Sequence, residues 1–289
     1  MRILVIGGTR YFGIHLVNAL LAKNHEVTIA TRGLTPDIFG DRVERIIFDR
    51  TDRKSVIETF TGLSFDVVYD NINYSPYDTE NLLHVLQTNR YVFTSSTAVY
   101  SMGENHKEED FDAYSYLVRM GRRDDFTYEE GKRLCESVLF QNFEVPAVAV
   151  RFPIVIGKDD YTRRLYTYVD AITKGKPIHV TNPDVKLSFI ESHQAGEFLS
   201  YLCERDEIGP MNASCKGEIA IMDVISYIEK KSGRKALYRE VGVEGEYNPC
   251  YTNTVDISRA ESTGFTFDPI RRHLYEIIDE YVAKAETEI

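Results

Sequence analysis

The chain lacks any long hydrophobic run. No window of its 289 residues approaches the roughly 18 consecutive apolar residues of a membrane-spanning helix, so we expect no membrane association. Its start also lacks the extended apolar stretch of a signal peptide, because Met1-Arg2 leads directly into the strand-like run Ile3–Ile6 and a glycine turn. We therefore predict a soluble protein with a cytoplasmic location.

Cysteine is scarce, and its spacing matches no metal site. The four cysteines are Cys135, Cys203, Cys215 and Cys250. They form no Cys-x-x-Cys pair and have no histidine partner at zinc-ligand spacing. We interpret them as reduced, mostly buried thiols and predict no metal site.

Basic residues are too few to balance the acidic ones. Lysine and arginine total 34 against 45 aspartates and glutamates, which gives a formal net charge of −11. General binding to a nucleic-acid backbone depends on basic side chains that displace counterions, so this balance argues against a nucleic-acid partner. A local basic patch remains compatible with the composition.

Short β-branched runs alternate with amphipathic stretches in the first half of the chain. The predicted strands are Arg2–Ile6, Glu26–Ala30, Arg45–Phe48, Asp66–Tyr69, Tyr91–Thr94 and Ala147–Arg151. Apolar residues recur at helical spacing between the first two strands and stop near Asn24, which completes a strand-helix-strand unit. We predict an α/β fold with a Rossmann-type, doubly wound parallel sheet in residues 1–151.

The rest of the chain loses this rhythm and predicts a smaller α+β lobe, mainly residues 152–289. The predicted helices are Asp125–Phe140, Tyr161–Lys174, Ser192–Glu204, Ile221–Ser232 and Pro269–Ala285, and the short strands are Ile178–Thr181, Lys186–Ile190 and Ala236–Arg239. The polar stretch Ser101–Asp125 is typical of an insertion or flap outside the core.

A glycine-rich turn follows the first predicted strand and precedes a helix. Such a turn lets backbone N–H groups approach a pyrophosphate at the positive end of the helix dipole. Gly7 would make the turn and Gly13 the close helix-to-strand contact, which predicts dinucleotide binding; the alternative is a plain tight turn. The residues assigned to this site are Gly7, Thr9, Arg10, Tyr11, Phe12 and Gly13.

The charges around this turn favour NADP(H) over NAD(H), which stays possible. Arg10 takes the place of a middle glycine, and Thr31-Arg32 follow the second strand where an acidic residue would hold the ribose 2′-hydroxyl. A carboxylate there would repel a 2′-phosphate, whereas two guanidinium groups and a hydroxyl would bind one through charge-assisted hydrogen bonds. The alternative is that Arg10 and Arg32 are solvated surface charges.

Two further residues are candidates for the cofactor side of the site. Asp49 ends the third strand and could accept a hydrogen bond from the adenine amino group; the alternative is an ordinary turn residue. Asn71 lies beyond the fourth strand and would be near the cofactor in a fold of this type.

Two segments predict catalysis. Thr94-Ser95-Ser96 ends the fifth strand, and a serine hydroxyl there would hold the substrate oxygen. Tyr128 and Lys132 are four residues apart on a predicted helix and therefore share one face. The ammonium group would stabilise a tyrosinate whose unperturbed pKa, near 10, is too high for a base at neutral pH.

With these residues the chain resembles the short-chain dehydrogenase/reductase superfamily. It is most similar to the extended branch of NAD(P)-dependent sugar-nucleotide epimerases, dehydratases and reductases. The resemblance implies that Gly7 and Gly13 are the cofactor-loop glycines and that Tyr128 is the acid/base. Lys132 would bind the nicotinamide ribose and lower the pKa of the tyrosine.

The resemblance extends over most of the chain. It makes Ser96, or Ser95, the active-site hydroxyl. Residues 151–157 resemble the strand and turn that lead into the family's substrate lobe, and residues 189–193 resemble the segment that returns to the cofactor domain. We therefore expect a return segment around residues 186–205, and a homodimer formed by packing helices.

Three positions depart from the family pattern. Arg10 replaces the middle glycine, Thr31 replaces the acid that binds NAD, and His193 stands where the return segment usually has aspartate. These departures are similar to those of atypical superfamily members, a group that includes reductases, chloroplast RNA-binding proteins and cofactor sensors.

The predicted substrate is a small molecule with a hydroxyl or carbonyl carbon, such as a nucleotide sugar. Arg163 and Arg164 enter a predicted helix and could bind its diphosphate; the alternative is a solvated helix start. We predict an NADP(H)-preferring oxidoreductase, epimerase or dehydratase. The alternatives are a non-catalytic NADP(H)-binding redox sensor and an RNA-binding relative of the same fold.

Overall fold

The computed structural model of the chain describes residues 1–245, 247 and 251–288. The strands are β1 (Arg2–Ile6), β2 (Glu26–Thr31), β3 (Glu44–Ile47), β4 (Ser64–Asp70), β5 (Gln87–Ser96), β6 (Gly103–His106), β7 (Ala147–Phe152), β8 (Ile154–Ile156), β9 (Pro177–His179), β10 (Lys186–Leu187), β11 (Phe189–Glu191), β12 (Gly209–Asn212), β13 (Ile219–Ala220), β14 (Leu237–Tyr238), β15 (Val243–Glu244) and β16 (Asn253–Val255). The α-helices are α1 (Phe12–Ala22), α2 (Arg53–Phe60), α3 (Pro76–Leu83), α4 (Tyr128–Asn142), α5 (Arg164–Thr173), α6 (Ser192–Tyr201), α7 (Ile221–Ser232), α8 (Ser258–Ser262) and α9 (Ile270–Thr287).

A seven-stranded parallel sheet organises the first half of the chain. Its strand order is β12-β7-β5-β4-β1-β2-β3. All six strands predicted for this sheet are confirmed with small shifts at their ends, and the Rossmann-type fold class is confirmed. The seventh strand, β12, was not predicted, because its four residues Gly-Pro-Met-Asn carry neither β-branched side chains nor alternation.

The two faces of the sheet bury separate cores. In β1, Ile3 and Val5 pack into one apolar cluster, and Leu4 and Ile6 pack into the other. Helices α1 and α6 cover the first face, whereas α2, α3 and α4 contribute apolar residues to the second. This alternation explains why the run Ile3–Ile6 is continuously apolar, as in parallel strands covered on both sides.

The return of the chain to the sheet takes place through α6. A Cβ atom added to Gly196 would lie 2.6 Å from the backbone nitrogen of Leu16, so only glycine lets the backbones of α1 and α6 approach this closely. After α6 the chain enters β12, which pairs with β7 in parallel. The seven-stranded sheet is thus completed by residues up to Asn212, beyond the expected return segment.

A histidine on α1 links this layer to the second lobe. His15 Nε2 lies 3.0 Å from Asp159 Oδ2, and Ser192 donates to the other oxygen of Asp159 at 2.7 Å. The hydrogen bond to Asp159 raises the pKa of His15, with smaller contributions in the same direction from Glu191 and Glu197. The imidazole ring of His193 lies 5.1 Å from that of His15, between ring centroids.

This link predicts a pH-dependent contribution to stability. Because the folded pKa of His15 lies above its usual 6.5, the contribution is full below that value and is lost as pH rises through the folded pKa. We expect Asp159→Asn to lower the free energy of unfolding by less than about 1 kcal/mol at pH 5.5, and by less still at pH 8.5. Chemical denaturation across this range would measure the difference.

The control for this prediction is His84, which pairs with Glu80 on an exposed helix surface. Glu80→Gln should show a smaller pH-dependent difference. A difference for Asp159→Asn that grows with increasing pH would contradict the prediction.

Helix α4 begins three residues later than predicted. The Thr127 hydroxyl accepts a hydrogen bond from the backbone nitrogen of Glu130 at 3.3 Å and so caps the helix. Residues Arg123–Asp125 form a separate turn of 3-10 helix. Tyr128 is therefore the first residue of α4, and Lys132 lies about one turn further along.

The second lobe combines α5, α7 and α9 with three small sheets. The sheets are β13-β10-β16-β6, β11-β8 and β14-β9-β15. The helix Ile221–Ser232 has the predicted bounds, whereas α5 is shorter than the predicted Tyr161–Lys174. The predicted strand Lys186–Ile190 is divided at Ser188 into β10 and β11, which join different sheets.

The expected flap Ser101–Asp125 is wrong for its first part. Residues 103–106 form β6 in the sheet of the second lobe, and Phe111 and Ala113 are buried. The backbone carbonyls of Glu108 and Phe111 accept hydrogen bonds from the buried Arg151. The polar composition of this segment gave no indication of its contacts with Arg151, because those contacts use backbone carbonyl oxygens.

Three of the four cysteines are buried free thiols, as predicted. They are Cys135, Cys203 and Cys215, and burial raises the pKa of each. Cys250 lies outside the described residues. Within residues 1–245, 247 and 251–288, no helix has both the length and the apolar character that a membrane crossing requires.

Candidate active site

The glycine-rich loop joins β1 to α1 at the carboxyl edge of the sheet. Gly7 has a φ of +84°, and a Cβ added there would lie 2.6 Å from Ile72 Cγ2. A Cβ on Gly13 would lie 2.6 Å from the carbonyl oxygen of Gly7. Side chains at these positions would break the turn and separate α1 from it. The loop therefore fits the backbone cradle that a dinucleotide pyrophosphate requires.

Tyr11 connects this loop to the second lobe, and Phe12 connects it to the central sheet. The Tyr11 hydroxyl donates to the carbonyl oxygen of Val155 at 2.6 Å, and the tyrosine is buried with a φ of 54°. Phe12 packs against the ring of Phe152, with centroids 6.0 Å apart. Thr9 lies half-buried between them and the glycine turn. Tyr11 thus holds the loop through a contact with β8 of the second lobe, and Phe12 holds it through a contact with β7 of the central sheet.

The two candidate phosphate-binding arginines lie near the end of β2. Arg10 donates to Thr35 Oγ1 at 2.9 Å, which places its guanidinium beside the loop that follows β2. Arg32 is exposed on that loop. Thr31 accepts a hydrogen bond from the backbone nitrogen of Gly33 at 3.0 Å and so shapes the turn.

Asp49 and Asn71 differ in how they are engaged. The Asp49 carboxylate accepts hydrogen bonds from the nitrogen and the hydroxyl of Thr51, at 2.9 and 2.7 Å. These bonds lower the pKa of Asp49, as in an ordinary strand-end turn. Asn71 donates to the carbonyl oxygen of Gly7 at 3.3 Å and accepts from Thr94 at 2.8 Å. Asn71 therefore supports the glycine loop from the adjacent strand.

Lys132 is buried beneath the site and is fixed by backbone oxygens. Its ammonium group donates to the carbonyls of Asn73 and Thr94, both at 2.8 Å. Burial lowers the pKa of Lys132 to about 8. The nitrogen lies 5.9 Å from the ring centroid of Tyr128. The positive charge is thereby held close to the tyrosine.

Tyr128 and Ser96 meet at the end of β5. The tyrosine is 48 % exposed, yet the loss of solvent around its hydroxyl raises the pKa of the phenol. The nearby Ser96 hydroxyl and the charge of Arg164 act in the opposite direction and lower the pKa. A phenol, a hydroxyl and an ammonium group thus converge at the carboxyl edge of the sheet.

Ser95 faces the interior and does not join this group. Its hydroxyl donates to Glu136 Oε1 at 2.5 Å, and the residue is buried. Successive side chains of a strand point to opposite faces, which separates Ser95 from Ser96. Ser96 is therefore the serine beside Tyr128, and the weaker assignment of Ser95 to the substrate finds no contact that supports it.

The two arginines at the start of α5 diverge. Arg164 donates to the Val155 carbonyl at 3.2 Å and to Thr162 at 3.0 Å, and its charge reaches Tyr128. Arg163 instead stacks on Tyr166, 4.4 Å from the ring centroid, within the second lobe. The structure therefore brings Arg164 toward the site and directs Arg163 away from it.

A family model identifies the chain. The model of the NAD dependent epimerase/dehydratase family matches residues 3–207. The chain belongs to this family. The resemblance drawn from the glycine loop and the tyrosine-lysine pair is thereby confirmed, as is the expectation of a short-chain dehydrogenase/reductase-type enzyme at the level of the family.

Curated relatives of this family member carry different activities. The chloroplast stem-loop binding protein of 41 kDa b from Arabidopsis thaliana is 29 % identical over 203 residues, which cover 65 % of this chain and 50 % of that relative. The chain thus spans about half the length of that relative. UDP-glucuronic acid decarboxylase 6 from the same plant is 24 % identical over 256 residues, covering 80 % of this chain and 74 % of the relative.

Solved structures share the fold across nearly the whole chain. The UDP-glucuronic acid 4-epimerase from Bacillus cereus, in complex with UDP-glucuronic acid and NAD, superposes with a TM-score of 0.71 at 21 % identity, covering 98 % of this chain and 99 % of that one. The dTDP-glucose 4,6-dehydratase from Bacillus anthracis, in complex with NAD, has a TM-score of 0.74 at 14 % identity, covering 99 % and 98 %.

Behind the site lies a buried ion pair that the sequence analysis did not predict. Arg50 and Asp70 form a two-pronged contact, with one nitrogen-to-oxygen distance of 2.6 Å, and Tyr91 donates to the same carboxylate at 2.5 Å. Asp70 ends the apolar strand β4, and an acid in that position was a usable signal of a buried partner. Its partner, twenty residues away, could not be identified from sequence spacing.

Tyr74 is a second residue that the sequence analysis missed. Its ring centroid lies 6.3 Å from that of Tyr128 and 4.6 Å from the ammonium nitrogen of Lys132. Burial raises the pKa of Tyr74 to about 12, so its phenol stays protonated at neutral pH. Nothing in its local sequence marks it, because it lies in a loop four residues beyond the end of β4.

Proposed function

We propose that the protein is an NADP(H)-preferring oxidoreductase, epimerase or dehydratase that acts on a hydroxyl or carbonyl carbon of a nucleotide sugar. The convergence of Ser96 and Lys132 on Tyr128, at the same sheet edge as the glycine loop, carries this proposal. The family match supports it, and so do the relatives and neighbours whose names include nucleotide sugars and NAD.

Each residue has a separate task in this proposal. Tyr128 moves the proton to or from the substrate oxygen, and Ser96 hydrogen-bonds that oxygen. Lys132 holds its charge near the phenol, which favours the tyrosinate. The bound nicotinamide supplies hydride transfer at the substrate carbon. The fixed positions of the three side chains reduce the entropy that the reaction must lose.

Product analysis tests the activity directly. The purified protein would be incubated with NADP⁺ or NAD⁺ and with UDP-glucuronic acid, UDP-glucose or dTDP-glucose, and the sugars would be analysed by NMR. We expect an epimerised, dehydrated, decarboxylated or oxidised product from at least one substrate. Cofactor binding without any product would favour the redox-sensor alternative.

The cofactor preference is tested by Arg32→Ala. A hydrogen bond to a charged group contributes about 1.5 to 3 kcal/mol, so we expect roughly 10- to 100-fold weaker NADPH binding and little change for NADH. Titration followed by nicotinamide fluorescence would measure both affinities. Arg234→Ala, which removes an exposed arginine of the second lobe, is the matched control. Equal losses for both cofactors would contradict a 2′-phosphate contact.

RNA binding is the second candidate, and the name of the 29 % identical relative favours it. The acidic balance of the chain argues against it, because backbone binding needs clustered cations. Retention of a stem-loop RNA that decreases steeply with salt would support this candidate. The proposal also includes a homodimer and a cytoplasmic location; sedimentation velocity would measure the oligomeric state.

A further inference from the structure

Arg123 lies on a fixed turn between α3 and α4. Asp125 Oδ2 accepts a hydrogen bond from the backbone nitrogen of Arg122 at 2.7 Å, which closes the 3-10 turn Arg123–Asp125. The carbonyl of Gly121 accepts from the backbone nitrogen of Tyr77 at 3.4 Å. These bonds connect the turn to α3 and fix the backbone from which the Arg123 side chain extends.

The Arg123 side chain extends toward the candidate active site. Its guanidinium carbon lies 4.5 Å from the ring centroid of Tyr74. Tyr74 in turn lies 6.3 Å from Tyr128, between ring centroids, and 4.6 Å from the Lys132 ammonium. The ring of Tyr74 thus contacts Arg123 and lies next to both Tyr128 and Lys132.

Among the described residues, the Arg123 guanidinium contacts an aromatic ring and forms no ion pair with an acidic side chain. Its neighbours Arg119 and Arg133 both pair with Glu130. Arg123 forms no ion pair within the part of the chain that the structure describes, although acids outnumber bases in this chain. Its side chain is exposed, and Lys132 adds a second cation next to the same ring. Such a site attracts an anion.

We propose that Arg123 binds a carboxylate on the sugar that Tyr128 acts on, so that the preferred substrate is a nucleotide-linked uronic acid. This inference rests on the proposed function. Arginine presents a planar pair of donors that matches a carboxylate. A second anion on such a substrate is its diphosphate. Arg123 contacts Tyr74, the aromatic neighbour of Tyr128, and this position favours the sugar carboxylate, which is close to the reacting carbon.

Equilibrium binding of two matched ligands tests this specificity. UDP-glucuronic acid and UDP-glucose share the nucleotide and diphosphate and differ in the sugar carboxylate. Calorimetric titration in the NADP⁺-loaded Tyr128→Phe background, which prevents turnover, should show at least about tenfold tighter binding of the uronic acid, the size of one charge-assisted hydrogen bond. Arg123→Gln should abolish this preference and leave the affinity for UDP-glucose unchanged.

Two further variants complete the design. Arg122→Gln removes the adjacent exposed arginine and should keep the preference. Arg123→Lys retains the charge but not the planar donor pair and should recover part of the preference. Thermal unfolding of each variant would verify that the fold is unchanged.

Two results would overturn the inference. If Arg123→Gln weakened the binding of both ligands equally, Arg123 would contact the diphosphate that they share. If the preference for the uronic acid were unchanged, Arg123 would have no part in recognising the substrate. Binding is measured here without turnover. A protein that prefers the uronic acid through Arg123 but converts neither sugar would contradict the proposed function alone.

Discussion

Replacing Tyr128 with phenylalanine is expected to reduce turnover by about 100- to 10,000-fold, the range for loss of a general acid or base. The substitution removes only the phenolic oxygen. Lys132 is held by the carbonyls of Asn73 and Thr94, so its position does not depend on that oxygen. Cofactor affinity should therefore stay within about twofold of the wild-type value, less than one neutral hydrogen bond. Steady-state kinetics and a nicotinamide titration would measure the two quantities.

Tyr116 provides a matched control for this substitution. Its hydroxyl donates at 2.8 Å to Glu130. Glu130 lies on α4, as Tyr128 does, but this contact is away from Ser96 and Lys132. Tyr116→Phe removes the same atom and should leave turnover nearly unchanged. If Tyr128→Phe retained wild-type turnover, Tyr128 would have no role as the acid/base.

The second large effect concerns stability and involves Arg151. Its guanidinium contacts Glu136 at 2.6 Å, and both side chains are fully buried. It also donates to Tyr100 and to the carbonyls of Glu108 and Phe111. Arg151→Met would leave the buried Glu136 carboxylate without a countercharge, with the Ser95 hydroxyl as its remaining hydrogen-bond donor. We expect a loss of about 3 to 5 kcal/mol in the free energy of unfolding, measured by chemical denaturation.

An exposed arginine shows what burial contributes to this effect. Arg272 pairs with Glu276 on the surface of α9, with both side chains more than half exposed. Arg272→Met should cost less than about 1 kcal/mol, as surface ion pairs do. A similar small loss for Arg151→Met would mean that Glu136 becomes protonated or solvated at little cost.

Most strands of the central sheet could be predicted because they are buried on both faces. Runs such as Ile3–Ile6 are continuously apolar, and the helix that follows ends at Ala22, just before Asn24, which has the left-handed φ of 60°. Strand β12 and the division at Ser188 could not be predicted in this way. Their residues pair with strands distant in the chain, and no local pattern records such pairing.

The candidate site shows the same limit more sharply. Spacing alone placed Tyr128 and Lys132 on one face of a helix, and that juxtaposition is present in the structure. It could not distinguish Ser95 from Ser96, because that choice depends on which face of β5 each side chain meets. Tyr74 and Arg123 come together through ring stacking between two loops, which leaves no periodic signal.

Strand β12 has a consequence for the order in which the protein matures during synthesis. It completes the sheet by pairing with β7, yet it follows α5 and α6 along the chain. Until Gly209–Asn212 has emerged from the ribosome, one edge of β7 has no partner strand. Helix α1 is likewise uncovered until α6, which comes shortly before β12 in the chain, has been synthesised. A fragment that ended at residue 151 would keep every strand next to the glycine loop. It would also expose an apolar edge strand, β7, that is prone to aggregation. Residues 1–151 therefore need the later part of the chain to form a stable domain.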